Sequence, residues 1–252
     1  MCPRGHSFDV ARSGYVNLLQ PQDRRSKSPG DAKYALEARV RLVAAGVGRT
    51  IREALVARAA TIGSWRQPTV AELGSGAGDT LAAIAAKRHI AGIGIDLSVA
   101  AVDLAARRFP ALTWVVANAD RRLPLVDRHI DLVLSMHARR NPPECARVLA
   151  PEGFLLVMVP APDDLIELRT FVQGDHAARA PRSPVTDEHA PFFELVERST
   201  LRERQALSRD HLLDLLQGTY RGARSRLAAR VEALAGMEVT LASDMYVFRP
   251  KL

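Results

Sequence analysis

The stretch Val70-Ala71-Glu72-Leu73-Gly74-Ser75-Gly76-Ala77-Gly78, followed by Ile93-Gly94-Ile95-Asp96, constrains the fold more than any other part of the chain. A short apolar run ends in an acid, and glycines then stand at alternate positions before an alanine-rich segment with helical spacing. A second apolar run closes on an aspartate. A chain that leaves a strand and turns at once into a helix needs residues that tolerate positive φ and keep Cβ atoms away from a ligand lying on the backbone. The pattern predicts a β-α-β nucleotide site.

Spacing narrows the ligand. A dinucleotide fingerprint of the form G-x-G-x-x-G wants glycine or alanine at position 79, where this chain has Asp79, and the Gly-Lys-Ser/Thr ending of a P-loop is absent. Glu72 at the carboxyl end of its strand suits the ammonium of a methionine moiety, and Asp96 suits both hydroxyls of a ribose. The expected cofactor is therefore S-adenosylmethionine. Its candidate binding residues are Glu72, Gly74, Gly76, Gly78, Thr80, Asp96 and Leu97. The plainer alternative is an ordinary strand-to-helix turn with a solvated acid beyond it.

The 252 residues carry 47% hydrophobic and 25% charged side chains, ordinary for one sizeable globular core. No apolar run approaches the ~18 residues of a membrane span, and the start lacks the apolar segment of a signal peptide. No membrane partner and a cytoplasmic location are expected. Cys2 and Cys145 are too few for a disulfide framework, which agrees with a reducing compartment. A net charge of +7 favours a polyanionic partner.

Through the middle of the chain, apolar runs at Thr69 to Leu73, Ile90 to Ile95, Leu112 to Ala117, Ile130 to Met136 and Phe154 to Val159 alternate with helical spacing. The helical segments are Thr80 to Arg88, Val99 to Phe109, Pro143 to Leu149 and Asp163 to Gln173. Two long strands follow, Phe192 to Ala206 and Met237 to Phe248, flanking a helix at Ser208 to Gln217. The alternation predicts a doubly wound α/β fold: a mostly parallel, seven-stranded sheet ending in an antiparallel pair, Rossmann-like, with ligands at the carboxyl ends of the strands. Ala32 to Ile62 reads as two helices broken at Gly46-Val47-Gly48. Residues 20–31 read as a basic loop, and Ala177 to Pro191 as a connector or a lid.

Strand three runs into Asn118-Ala119-Asp120, where Asn118 or Asp120 could bond an adenine amino group; the alternative is a turn in which Asp120 caps the backbone. Strand four ends in His137-Ala138-Arg139-Arg140-Asn141-Pro142-Pro143-Glu144, the expected acceptor side, and Pro142-Pro143-Glu144 reads as the opening of a helix. His176, after the following helix, could close over the cofactor.

Several segments together resemble the RlmA-type ribosomal RNA guanine-N1 methyltransferases: residues Cys2 to Ala11, Gly14 to Leu19, Pro29-Gly30-Asp31 and Arg140 to Glu144. The resemblance spans nearly the whole chain. It implies a class I methyltransferase domain, here 36–252, behind a small amino-terminal zinc module, here 1–35, acting on a hairpin of large-subunit ribosomal RNA. Some family members confer macrolide resistance. The family's zinc module uses a Cys-x-x-Cys pair plus a later cysteine and histidine. Only Cys2 and His6 of those four are present, so the module looks truncated and no bound metal is expected, because structural zinc is almost always four-coordinate. Gly48 stands where some relatives carry tyrosine, and near Tyr220 a tryptophan of some relatives is missing.

Methylation at guanine N1 requires alignment with the methyl donor and removal of a proton from a weakly acidic ring nitrogen. Under the resemblance His137 is the first candidate base, since an imidazole accepts a proton near neutrality; a histidine merely packed at a strand end is the alternative. Arg140 and Asn141 could grip the guanine or a phosphate, or form a solvated pair. Arg24, Arg25, Lys27, Lys33 and Arg39, with Arg221, Arg224 and Arg226 on the far rim, would track RNA phosphates, or be ordinary solvated surface. Methyl transfer to ribosomal RNA leads. A small-molecule methyltransferase and a non-catalytic RNA- or cofactor-binding protein are the alternatives, and the oligomeric state, a homodimer included, is left open.

Overall fold

The computed structural model describes residues 8–19, 33–173, 184–219 and 231–251. In chain order the elements are β1 (Val16–Asn17), α1 (Lys33–Ala44), α2 (Arg49–Thr61), β2 (Thr69–Leu73), α3 (Asp79–Lys87), β3 (Ala91–Asp96), α4 (Val99–Arg108), β4 (Thr113–Val116) and β5 (Ile130–Met136). They continue with α5 (Pro142–Val148), β6 (Leu149–Pro160), α6 (Ile166–Gln173), α7 (Val185–His189), β7 (Phe193–Ser208), α8 (Arg209–Thr219) and β8 (Gly236–Pro250). The strands form one sheet in the order β1-β4-β3-β2-β5-β6-β8-β7. Pairs from β1 to β6 are parallel, while β8 runs antiparallel to both β6 and β7. The winding direction reverses between β2 and β5, so their carboxyl ends frame the crevice in which such sheets take ligands.

Alternation along the strands divides the core. Val70, Leu132, Leu134, Leu156 and Met158 face α2, α3, α4 and α6. Ala71, Leu73, Val133, Leu155 and Val157 face the opposite side with α5. Leu81 and Ile84 of α3, spaced by three, are at most 1% exposed, and burying each such side chain contributes about 1.5–3 kcal/mol. The start of α4 is fixed by Ser98, whose hydroxyl accepts the Ala101 N–H at 3.4 Å. Among the described residues no helix is long and apolar enough to cross a membrane.

Four expectations need correction. Among the described residues the sheet has eight strands, because Val16 and Asn17 pair with Val115 and Val116 at the β4 edge and Leu19 enters the main core; a two-residue strand is too short to show periodicity. β6 begins at Leu149, directly from α5, since Leu149 already pairs with Ile130. α6 starts at Ile166 rather than Asp163: Leu165 is left-handed (φ 54°), Asp164 accepts the Ala242 N–H, and Asp163 is tied to Arg202. Within the expected connector, Val185–His189 forms α7, whose His189 is buried and stacked on Phe248 with centroids 4.8 Å apart.

Candidate active site

The glycine-bearing turn after β2 lies at the reversal of the sheet. Gly74, Gly76 and Gly78 have φ of 72°, 54° and 84°. Two of them face opposite circumstances. A Cβ on Gly78 would sit 2.5 Å from the Trp114 ring, so this glycine lets α3 pack on the sheet, whereas a Cβ on Gly76 would meet nothing within 4 Å among the described residues. Gly76 thus presents bare backbone to open space, the arrangement a ligand lying along the loop requires. Gly74 abuts Ala138 of the β5–α5 loop, which brings the two walls of the crevice together. Asp79, the first residue of α3, is clamped to α4 by Arg108, which also donates to Ala77 O at 3.1 Å.

Asp96 stands at the end of the neighbouring strand. One carboxylate oxygen accepts the Gly76 N–H at 2.9 Å and the other the Ser98 N–H at 2.8 Å. Two carboxylate oxygens have about four lone-pair sites, the acceptor chemistry that a ribose diol requires. Thr80 is buried in the first turn of α3, and Leu97 packs partly buried against the core.

Glu72 is 2% exposed. It accepts the backbone N–H of Leu81 in the first turn of α3, and its Oε2 is buried with no partner among the described residues. Burial pushes its carboxyl up to about 8; the Leu81 N–H works against the shift, and Asp96 and Asp79 add to it. A buried oxygen without a partner among the described residues, at the strand end that leads into the glycine turn, is the feature a ligand cation would satisfy. S-adenosylmethionine, with an ammonium, a diol and a sulfonium, fits this donor set.

After β4, Asn118 makes the turn: its Oδ1 accepts the Asp120 N–H at 2.9 Å and its carbonyl the Arg121 N–H at 3.1 Å. Asp120 is exposed, 3.8 Å from Arg139. The capping side chain of this turn is therefore Asn118 rather than Asp120.

At the end of β5, His137 is exposed, left-handed (φ 52°), and has Nε2 2.9 Å from the Ser243 hydroxyl of β8. Its N–H donates to Met158 O at 2.8 Å, so the ring projects from an anchored backbone at the carboxyl end of the sheet. Arg140 points toward α7 and pairs with Glu188 at 2.7 Å. Asn141 donates from Nδ2 to the carbonyls of Ala119 (2.9 Å) and Arg121 (3.0 Å), partners other than the guanine or phosphate expected of it. Glu144 accepts the Leu123 N–H, and the Arg147 guanidinium beside it holds its carboxyl below the usual range. Arg147 also donates to the carbonyls of Leu123 and Leu125.

Of the expected RNA-facing cations, Arg39 donates to Gly218 O at 3.0 Å and so ties α1 to α8, and exposed Lys33 pairs with Glu37 at 3.6 Å. Arg24, Arg25, Lys27, Arg221, Arg224, Arg226, His176, Cys2 and His6 lie outside the described residues. Among the described residues no cluster of three or more metal-ligating side chains is present. Ser243, Glu188 and Arg108 escaped the sequence reading. Each is an ordinary polar residue far along the chain from the group it holds, and a single sequence carries no signal for such pairs.

Residues 70–153 match the family described as methyltransferase domain, and residues 1–27 the one described as RlmA, N-terminal. The solved YcgJ protein of Bacillus subtilis shares the fold, with a TM-score of 0.55 at 15% identity over 80% of this chain and 98% of that one. A geranyl diphosphate methyltransferase in complex with SAM does so at 0.53 and 11% identity, over 89% of this chain and 93% of that one. The 23S rRNA (guanine(748)-N(1))-methyltransferase of Streptomyces fradiae is 34% identical over 255 residues, covering 99% of this chain and 90% of that protein. On that near-complete correspondence, joined to the sheet and crevice just described, the chain belongs to the family of 23S ribosomal RNA guanine-N1 methyltransferases.

Proposed function

We propose that this protein uses S-adenosylmethionine to methylate N1 of a guanine in a hairpin of 23S ribosomal RNA. The observation that carries the reading is the 34% identity over 99% of the chain to the Streptomyces fradiae enzyme. The fit of the crevice to the cofactor supports it: Asp96 offers carboxylate acceptors to the ribose, Glu72 an oxygen without a partner among the described residues to the ammonium, and Gly76 bare backbone along the loop. Gly74, Gly78, Thr80 and Leu97 shape the same wall, and Asn118 and Asp120 stand at the adenine end. Bound S-adenosylmethionine supplies an activated methyl group on a cationic sulfur.

The chain's own residues have two tasks. The first is to hold a flipped guanine with N1 facing the donor, since N1 is otherwise buried in a Watson-Crick pair. Arg140, at the rim and braced by Glu188, serves that task. The second is to take the N1 proton, which is the role of His137, with Ser243 fixing the ring at Nε2. The test is methyl transfer from labelled S-adenosylmethionine to unmodified large-subunit ribosomal RNA, followed by nucleoside analysis. N1-methylguanosine at one hairpin position is the expected product; label in any other nucleoside refutes the assignment.

A further inference from the structure

The neighbouring residues Arg140 and Asn141 part company in the fold. Arg140 turns to Glu188 on α7, while Asn141 turns back across the crevice to the loop after β4. A side-chain amide carries two N–H donors, and those of Asn141 go to the carbonyls of Ala119 and Arg121, which flank Asp120. The turn is thus held from both sides. Asn118 takes the N–H groups of Asp120 and Arg121, and Asn141 takes the carbonyls on either side of Asp120. Further along, α5 continues the fastening through Glu144 to Leu123 N–H and Arg147 to Leu123 and Leu125 carbonyls. The exposed Arg139–Asp120 pair, at 3.8 Å, adds little to this.

We infer that Asn141 is a positioning residue for the cofactor side of the site: it fixes the turn presenting Asn118 and Asp120, and so sets cofactor affinity rather than acting on the guanine. The inference rests on the placement of the cofactor's adenine end at this turn. It converts a residue beside the acceptor wall into a staple for the opposite wall, and the two roles separate cleanly in kinetics.

The experiment uses the full chain, with S-adenosylmethionine titrated calorimetrically and turnover measured on unmodified large-subunit ribosomal RNA, for Asn141→Ala, Asn141→Asp and Asn118→Ala. Asn141→Ala should weaken cofactor binding by ~5–20-fold, the scale of two lost neutral hydrogen bonds, while kcat at saturating cofactor stays within about 3-fold. Asn141→Asp, close in shape, points a carboxylate at two carbonyls and should weaken binding further; it is read alone should the alanine variant not fold. If Asn118→Ala weakens cofactor binding and neither Asn141 variant does, the staple is overturned while the cofactor placement stands. If none of the three changes cofactor affinity, the placement itself fails and the inference with it. A fall in kcat at unchanged cofactor affinity in an Asn141 variant assigns the amide to the acceptor and also overturns the inference.

Discussion

The two walls of the crevice are built differently. On the β2–β4 wall Asp96 and Asn118 bond within one β-α-β unit and its following turn: Asp96 holds Ser98, two residues on, and Gly76, 20 residues back, and Asn118 holds Asp120, two residues on. On the β5 wall His137 and Arg140 are engaged from much farther along the chain. His137 meets Ser243, 106 residues on, and Arg140 meets Glu188, 48 residues on, while Asn141 reaches back 22 residues, about as far as Asp96 reaches to Gly76, and joins the two walls at Ala119. The first wall is a local motif whose chemistry travels with its sequence. The second is an assembly of otherwise ordinary residues that gain roles through packing.

With Asn141 counted with the wall it staples, damage to the two walls should separate into chemistry and affinity. His137→Ala should give the largest effect, a fall in kcat of ~10²- to 10⁴-fold, the range for loss of a general base, with cofactor affinity unchanged in calorimetry. A loss in affinity with intact kcat would merge the two walls and remove the base assignment. Asp96→Ala should weaken S-adenosylmethionine binding on the order of 10²-fold, since it removes charge-assisted acceptors and loosens Gly76. Binding within a few-fold of wild type would place the ribose elsewhere.

Glu72 sharpens the comparison through pH. Its carboxyl is raised to about 8 in the fold against ~4.3 in an unfolded chain, so the folded state holds the proton across that window. The group's contribution to stability is complete below the unfolded value and is lost as pH rises toward 8. Glu72→Gln cannot ionise, so its melting temperature relative to wild type should climb between pH 5.5 and 8.5 and then level off, by ~2–4 °C for each kcal/mol involved. Parallel melting curves for the two proteins across this range would show that Glu72 does not titrate there. The smallest effect belongs to Arg140→Ala. Its partly exposed pair with Glu188 should be worth ~0.2–1 kcal/mol in denaturant unfolding, with a modest rise in KM for RNA. A cost of several kcal/mol would make Arg140 a structural member of the wall.

The glycine turn, the acids at the two strand ends and the strand-helix alternation were legible because each rests on backbone conformation or on periodic burial, and both are written in consecutive residues. β5 falls at Ile130–Met136, as its apolar run predicts, and α5 opens at Pro142 with proline and an acid in its first turn. The sequence alone also carried the family, through segments scattered over nearly its full length. Only tertiary structure decided the rest. The eighth strand depends on an edge hydrogen-bond partner in β4, and α7 on a pocket beside Phe248 that buries His189. The upward push on the Glu72 carboxyl depends on burial and on the nearby charges of Asp96 and Asp79, and the division of labour between Arg140 and Asn141 on which group each can reach. Hydrogen-bond pairing and desolvation are set by neighbours in space, and a residue's identity and spacing do not name those neighbours.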